Sequence, residues 1–178
     1  PIKYGSIAID NGFLILNEDE KIDLINREPL SEKYIFTYGG GAEFIKNIKR
    51  YCLWLKDLNP NELKLMPIVK EKIDGVRDFR FSSDREATKK LAEYPTLFGE
   101  DRQPKNNYIL IPKVSSETRQ YIPLGFLNKS HIANGSSMIV ENATLFEFGI
   151  LTSLMHMSWI KYTCGRMKSD YQYSNTIV

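Results

Sequence analysis

Near the end of the chain, the run CGRMKSDYQYS sets Arg166, Lys168, Asp170 and Gln172 on one parity and Met167, Ser169, Tyr171 and Tyr173 on the other. If the run is extended, successive side chains face opposite ways, so one face carries a cation, an anion and an amide in a row. Each type has its own partner on a base edge. Lysine donates to guanine O6 and N7, aspartate accepts from cytosine N4, and glutamine pairs bidentately with adenine. An exposed strand of another function can carry the same row, so groove readout and a solvated edge both remain open on chemistry alone.

Other reactive residue types are present without reactive spacing. The triplet Gly39–Gly41 lacks both the G-x-x-x-x-G-K-[ST] spacing and the strand–GxGxxG–helix context, and it reads as a flexible loop. Cys52, Cys164, His131 and His156 show no CxxC or HxxxH pattern, so no metal set is expected, and His156 reads as a satisfied core histidine. Ser115, Ser116 and Glu117 have neither a G-x-S-x-G elbow nor a histidine placed to serve them. The carboxylates at Glu18–Asp19–Glu20, Asp57 and Glu100–Asp101 read as caps or solvated loops. No catalytic constellation emerges.

What remains is a distribution of cations. Lys105, Lys113, Arg119, Lys129, Arg166 and Lys168 fall in the second half of the chain, many beside Ser, Asn or Tyr. Lysine and arginine supply charge to phosphate while hydroxyls and amides add hydrogen bonds. The formal net charge is only +2, so a basic face would have to come from placement rather than composition.

The elements that must position these residues follow from periodicity. Asn11–Gly12 signals a turn before the strand-like FLIL, and Asn17 with Glu20 three residues on signals a capped helix ending before Pro29. YCLWL reads as a buried strand. Leu63, Met66, Val69, Ile73 and Val76 recur at helical spacing after Asn59–Pro60, with Pro67 early in that helix, and a second helix starts at Ser83 or Asp84 and stops before Pro95. From Tyr108 the texture changes to short strands, YILIP, RQYIPLGFL and SSMIV, joined by polar connectors. A helix over Ala143–Cys164, apolar nearly all round, is expected to be buried. The order predicts an α+β fold: a helical N-terminal part, then a small mixed or antiparallel sheet packed on a long buried helix.

With 178 residues, 42% hydrophobic and 26% charged, the chain has ordinary globular composition and length for a real core. Two isolated cysteines suggest core thiols in a reducing, cytoplasmic setting, and Leu145–Ile160 is too short and too polar for a membrane span. A start at Pro1 and an unfinished-looking final strand suggest a piece of something longer.

The blocks GSIAIDNGFLIL, YCLWL, RQP, YILIPKVSSETRQYIPLGFL and FGILTSLMHMSWIKYTCGRMKSDYQYSNTIV, in this order, resemble the MmeI-like DNA methyltransferases of bacterial type IIL restriction–modification systems. The resemblance implies a target recognition domain over residues 49–178, and a lead-in segment over 1–48 joining it to a methyltransferase core. It implies a parent enzyme that methylates adenine N6 from S-adenosylmethionine, with Mg if a nuclease is attached, acting on double-stranded DNA in the bacterial cytoplasm. This sequence has neither an NPP[YF] motif nor a glycine-rich cofactor motif, so no cofactor is expected on these residues. Carried over by position, the resemblance makes Lys168, Asp170 and Gln172 base-contact candidates, with Ser136 and Ser137 in a second variable connector. Lys113, Ser115, Ser116, Arg119, Lys129 and Arg166 become backbone or base candidates. A protein-docking scaffold is the alternative.

Overall fold

The structure, a computed structural model, describes residues 1–176. In chain order the strands and helices of its first part are β1 (Ile2–Tyr4), β2 (Ile15–Leu16), α1 (Glu18–Arg27), β3 (Ile35–Gly39), α2 (Gly41–Lys46) and β4 (Tyr51–Leu53). Then come α3 (Pro60–Leu63), α4 (Pro67–Phe81) and α5 (Glu86–Lys90). The strand-rich part holds β5 (Tyr108–Pro112), β6 (Val114–Ser115), β7 (Gly125–Leu127), β8 (His131–Ala133) and β9 (Ser137–Glu141). It ends with α6 (Leu145–Leu151), α7 (Leu154–Thr163), β10 (Gly165–Met167) and β11 (Asp170–Gln172). The α+β class is as expected. The residues divide into two compact units: Ser6–Tyr38 with Lys49–Asp101, and Pro1–Gly5 with Gly39–Ile48 and Arg102 onward.

In the helical unit, Asn17 caps α1 by accepting from Glu20 N at 2.9 Å, and the Glu20 carboxylate accepts from Asn17 N at 2.8 Å. Helix α4 starts at Pro67, later than the sequence spacing suggests, because proline suits the first helical position and not an interior one. The orphan N–H groups of Ile68 and Val69 donate to the buried carboxylate of Glu28, a cap supplied from a distant segment. Met66, Val69, Ile73 and Val76 are buried as the periodicity requires. One turn further on, the fully buried Arg80 donates to the carbonyls of Ala8, Ile9, Leu91, Tyr94 and Leu97 at 2.7–3.1 Å. All five guanidinium N–H groups can thus be satisfied by main chain.

The second unit is built on the antiparallel sheet β1-β9-β5-β7. All five residues of β5 are buried because both of its faces are covered. Ile109 and Ile111 face a cluster with Met157, Ile160, Tyr171 and Tyr173, while Tyr108 and Leu110 face Ala133, Ile139 and Phe44. The single long buried helix of the sequence reading is two helices. Thr152 Oγ1 donates back to Phe148 O at 2.8 Å, and the Ser153 hydroxyl accepts from His156 N at 3.1 Å to cap the new helix. Nor is that pair buried all round: Met157 and Ile160 point inward, whereas Leu145, Phe146, Leu154, Met155 and Tyr162 are exposed.

Candidate nucleic-acid interface

Strand β5 lies inside one sheet and β6 at the edge of another, ordered β10-β11-β6, so the chain passes between sheets through Lys113. That residue ties three distant segments together by main chain alone. Lys113 N donates to Ser136 O at 3.1 Å, and Lys113 O accepts from Tyr173 N at 2.8 Å. Pairing then continues as Gln172 with Val114 and Tyr171 with Ser115. Glu117 N, in the loop beyond, donates weakly to Asp170 Oδ1 at 3.4 Å. The segments 113–119, 134–137 and 165–173 therefore meet at one end of the β9-β5-β7 sheet.

The closing run is not one strand. It folds back as a hairpin with Gly165, Arg166 and Met167 opposite Gln172, Tyr171 and Asp170, and Lys168–Ser169 as its two-residue turn. Lys168 takes φ +57°, the left-handed region required by such a turn. Residues directly opposite in an antiparallel pair share a face. Arg166 therefore joins Tyr171, not Lys168: its guanidinium lies 4.0 Å over the Tyr171 ring and donates to Ser169 O at 2.9 Å. The expected row of four becomes Asp170 and Gln172 beside Met167 on one face, with Lys168 exposed at the tip. Asp170 and Gln172 are half-buried, and Tyr171 and Tyr173 anchor the hairpin in the core. His156 Nε2 lies 2.9 Å from the Tyr173 hydroxyl, so this histidine has the partner expected for it. Burial lowers the pKa of His156 and raises that of the Tyr173 phenol.

The neighbouring loops are held by short-range polar bonds. Ser116 Oγ lies 2.9 Å from Thr118 Oγ1, and Arg119 N donates to Ser116 O at 3.1 Å, which leaves Arg119 half-exposed. The Lys113 ammonium sits 5.3 Å from the centre of the Tyr4 ring. Asn134 Oδ1 accepts from Ser136 N at 2.9 Å and from Ser136 Oγ at 2.6 Å, so Ser136 is exposed on a closed turn. Asn134 was missed by residue-type reasoning, although its place in the turn signature Asn-Gly-Ser is the signal that would have found it.

Several expectations need correction. Ser137 is 0% exposed and donates its hydroxyl to Asn134 O at 2.8 Å, so it offers no polar atom outward. Ser115 is likewise buried, and its hydroxyl has no hydrogen-bond partner among the described residues. Both sit where strand register turns the side chain inward. Lys129 lies at the opposite end of the sheet, where Tyr108 pairs with Leu127 and Glu141; there it lines a shallow polar concavity with Lys105, Asn107 and Asn128. The glycine triplet is not a flexible loop: Gly39 ends β3, and Gly41 starts α2. A Cβ on Gly40 would lie 2.1 Å from Asn134 Oδ1 and 2.3 Å from Ser136 Oγ. Gly40 N donates to the Glu43 carboxylate at 2.9 Å, so this junction packs beneath the 134–136 turn and offers no phosphate cradle.

Among the described residues no three of His, Cys, Asp and Glu gather as a metal set, and no helix is long and apolar enough to cross a membrane. Cys52 and Cys164 are buried free thiols, their pKa values raised by desolvation.

The chain as a whole is similar to known proteins. DNA methyltransferase A of Bacillus subtilis (strain 168) is 36% identical over 173 residues, which is 97% of this chain and 20% of that protein. A solved structure of the type IIL restriction–modification enzyme MmeI in complex with DNA is 39% identical, with a TM-score of 0.94 over 97% of this chain and 23% of that one. The chain thus spans about a fifth of the length of these relatives. The family model for the MmeI target recognition domain matches residues 1–178. With the fold, the ordered sequence blocks and the full-length match in agreement, this chain belongs to the MmeI target recognition domain family.

Proposed function

We propose that this chain reads the sequence of double-stranded DNA for a longer methyltransferase of a restriction–modification system in the bacterial cytoplasm. That enzyme would transfer a methyl group from S-adenosylmethionine to adenine N6. The observation that carries the reading is the convergence at Lys113, which gathers three polar segments at one end of the β9-β5-β7 sheet. Lys168 at the hairpin tip, with Asp170, Gln172 and Ser136 behind it, supplies donors and acceptors suited to base edges. Lys113 and Arg119 flank them with charge for phosphates. Arg166 holds the hairpin against Tyr171 and positions the readers.

The residues here do not fit the methyl donor. The glycine junction at 39–41 is filled by Glu43, Asn134 and Pro112, and no glycine-rich cofactor motif is present. Methyl transfer therefore belongs to another part of the polypeptide, which would take the target adenine out of the stack while this domain holds the flanking duplex.

The deciding experiment is long-read methylation mapping in cells expressing the full-length protein and its Lys168→Ala/Asp170→Ala variant. The methylated motif is expected to change or relax at one base pair while methylation persists. An unchanged motif removes these residues from base reading. Duplex binding that barely responds to salt would favour a protein-docking role at this end instead.

A further inference from the structure

Helix α7 turns Met157 and Ile160 into the core, while α6 and α7 leave several large apolar side chains exposed. Leu145 and Phe146 are 79% and 71% exposed, Leu154 64%, Met155 80% and Tyr162 91%. Met155, Trp159 and Tyr162 follow one another at i, i+4 and i+7, which places them on one face of α7. Taking side-chain areas of roughly 150–250 Å², these five exposures, spread over α6 and α7, amount to about 600–950 Å². The largest apolar patch on a typical monomer is about 300–600 Å², and patches beyond that size mark contact surfaces.

Two observations identify the occupant. Between Leu145 and Thr163 the ionisable groups besides Tyr162 are Glu147, His156 and Lys161, and Glu147 is held as a carboxylate by the Thr144 cap. A single lysine opposite a carboxylate does not attract a polyanion, so DNA phosphate is a poor match. The chain also spans only 20% and 23% of the relatives it matches, so in such proteins most of the polypeptide lies outside these residues.

We infer that the α6–α7 face docks against the remainder of the same polypeptide, through an uncharged, apolar protein surface. This goes beyond DNA reading and rests on the domain working within a longer protein. It has a geometric consequence. Helix α7 ends at Thr163 and β10 begins at Gly165, so a contact on α7 fixes the orientation of the hairpin that carries Lys168.

The test places p-benzoylphenylalanine at Tyr162, and separately at Met155, in the full-length protein, followed by irradiation without DNA and peptide mapping. The expected product is a monomer carrying an adduct between the probe and a peptide outside residues 1–178. The same adduct is expected in the Lys168→Ala/Asp170→Ala background, so a failure of DNA reading and a failure of docking are told apart. Adducts joining two copies, adducts to a duplex added in a second irradiation, or no adduct at either position would each overturn the inference.

Discussion

Replacing Lys168 with glycine separates the hairpin from its side chain. Lys168 occupies φ +57°, where a side chain with a Cβ is disfavoured by roughly 1–2 kcal/mol. Glycine relieves that cost but gives back about 0.5–1 kcal/mol through its freer unfolded chain. The net is about 0 to 1.5 kcal/mol in favour of the folded turn, so the hairpin should persist in Lys168→Gly at least as well as in the parent. Amide exchange at Tyr171 and Tyr173 checks this, because the ladder to Arg166, Ser115 and Lys113 runs through those residues. Only the ammonium is lost. If it reads one guanine, binding of the full-length protein to its recognised duplex falls by about 1–3 kcal/mol, roughly 5- to 150-fold. Duplexes already altered at that base pair lose no further affinity. Titrations against a panel of single-base variants at two salt concentrations read this directly. An equal loss on every duplex, with the salt slope reduced by about one, would make Lys168 a phosphate contact and refute base reading. Retained hairpin protection with unchanged affinity would refute any contact.

Further outcomes follow from the same geometry. Arg80→Leu removes the buried donor of five carbonyls, of which those of Ala8, Leu91 and Tyr94 keep a main-chain partner, and should cost about 2–6 kcal/mol in urea unfolding followed by fluorescence. Arg80→Lys, with three donors for five acceptors, should fall between, and a loss below about 1 kcal/mol for Arg80→Leu would contradict the role given to Arg80. Arg119→Ala should weaken duplex binding about equally across sequences and flatten the salt dependence, whereas a loss confined to one base position would make it a base reader. His156 and His131 both have folded pKa values lowered by burial, so the unfolded chain binds protons more readily than the folded one. Their contribution is complete above the ordinary histidine value of about 6.5 and declines as pH falls below it. Thermal melts between pH 8 and 5 should show that decline, and His156→Gln should reduce it; an unaltered slope would show that His156 does not contribute.

Much of the scaffold was legible because single residues carry unambiguous local instructions. Asn17 with Glu20 dictates a capped start to α1, Asn11 and Gly12 supply the left-handed turn before β2, and the spacing of Met66 to Val76 gives the inner face of α4. The polar positions were legible as residue types but not as a surface. Lys168–Ser169 contains no glycine or asparagine to announce a turn, and alternation on both sides of it imitates one continuous strand. The split of the long apolar helix turns on Thr152 and Ser153, whose hydroxyls bond locally in a way that hydrophobicity does not reveal. Whether an apolar helix faces core or another protein is a tertiary fact. Sequence pattern alone led to full burial of residues that are exposed. The inward turn of Ser115 and Ser137 and the separation of Lys129 from the other candidates were hidden for a similar reason, since register decides inward or outward, and strand direction decides which end of the sheet a loop occupies.

The junction at Lys113 uses only amide and carbonyl groups, which every residue except proline possesses in full. Side chains at the tip and along the outer row can therefore be exchanged without unfastening the frame beneath them. If positions 168, 170 and 172 read bases as proposed, drift there would yield a protein that still folds and still holds a duplex but stops at a different address on the chromosome. A lineage could then change what it marks without passing through misfolded intermediates.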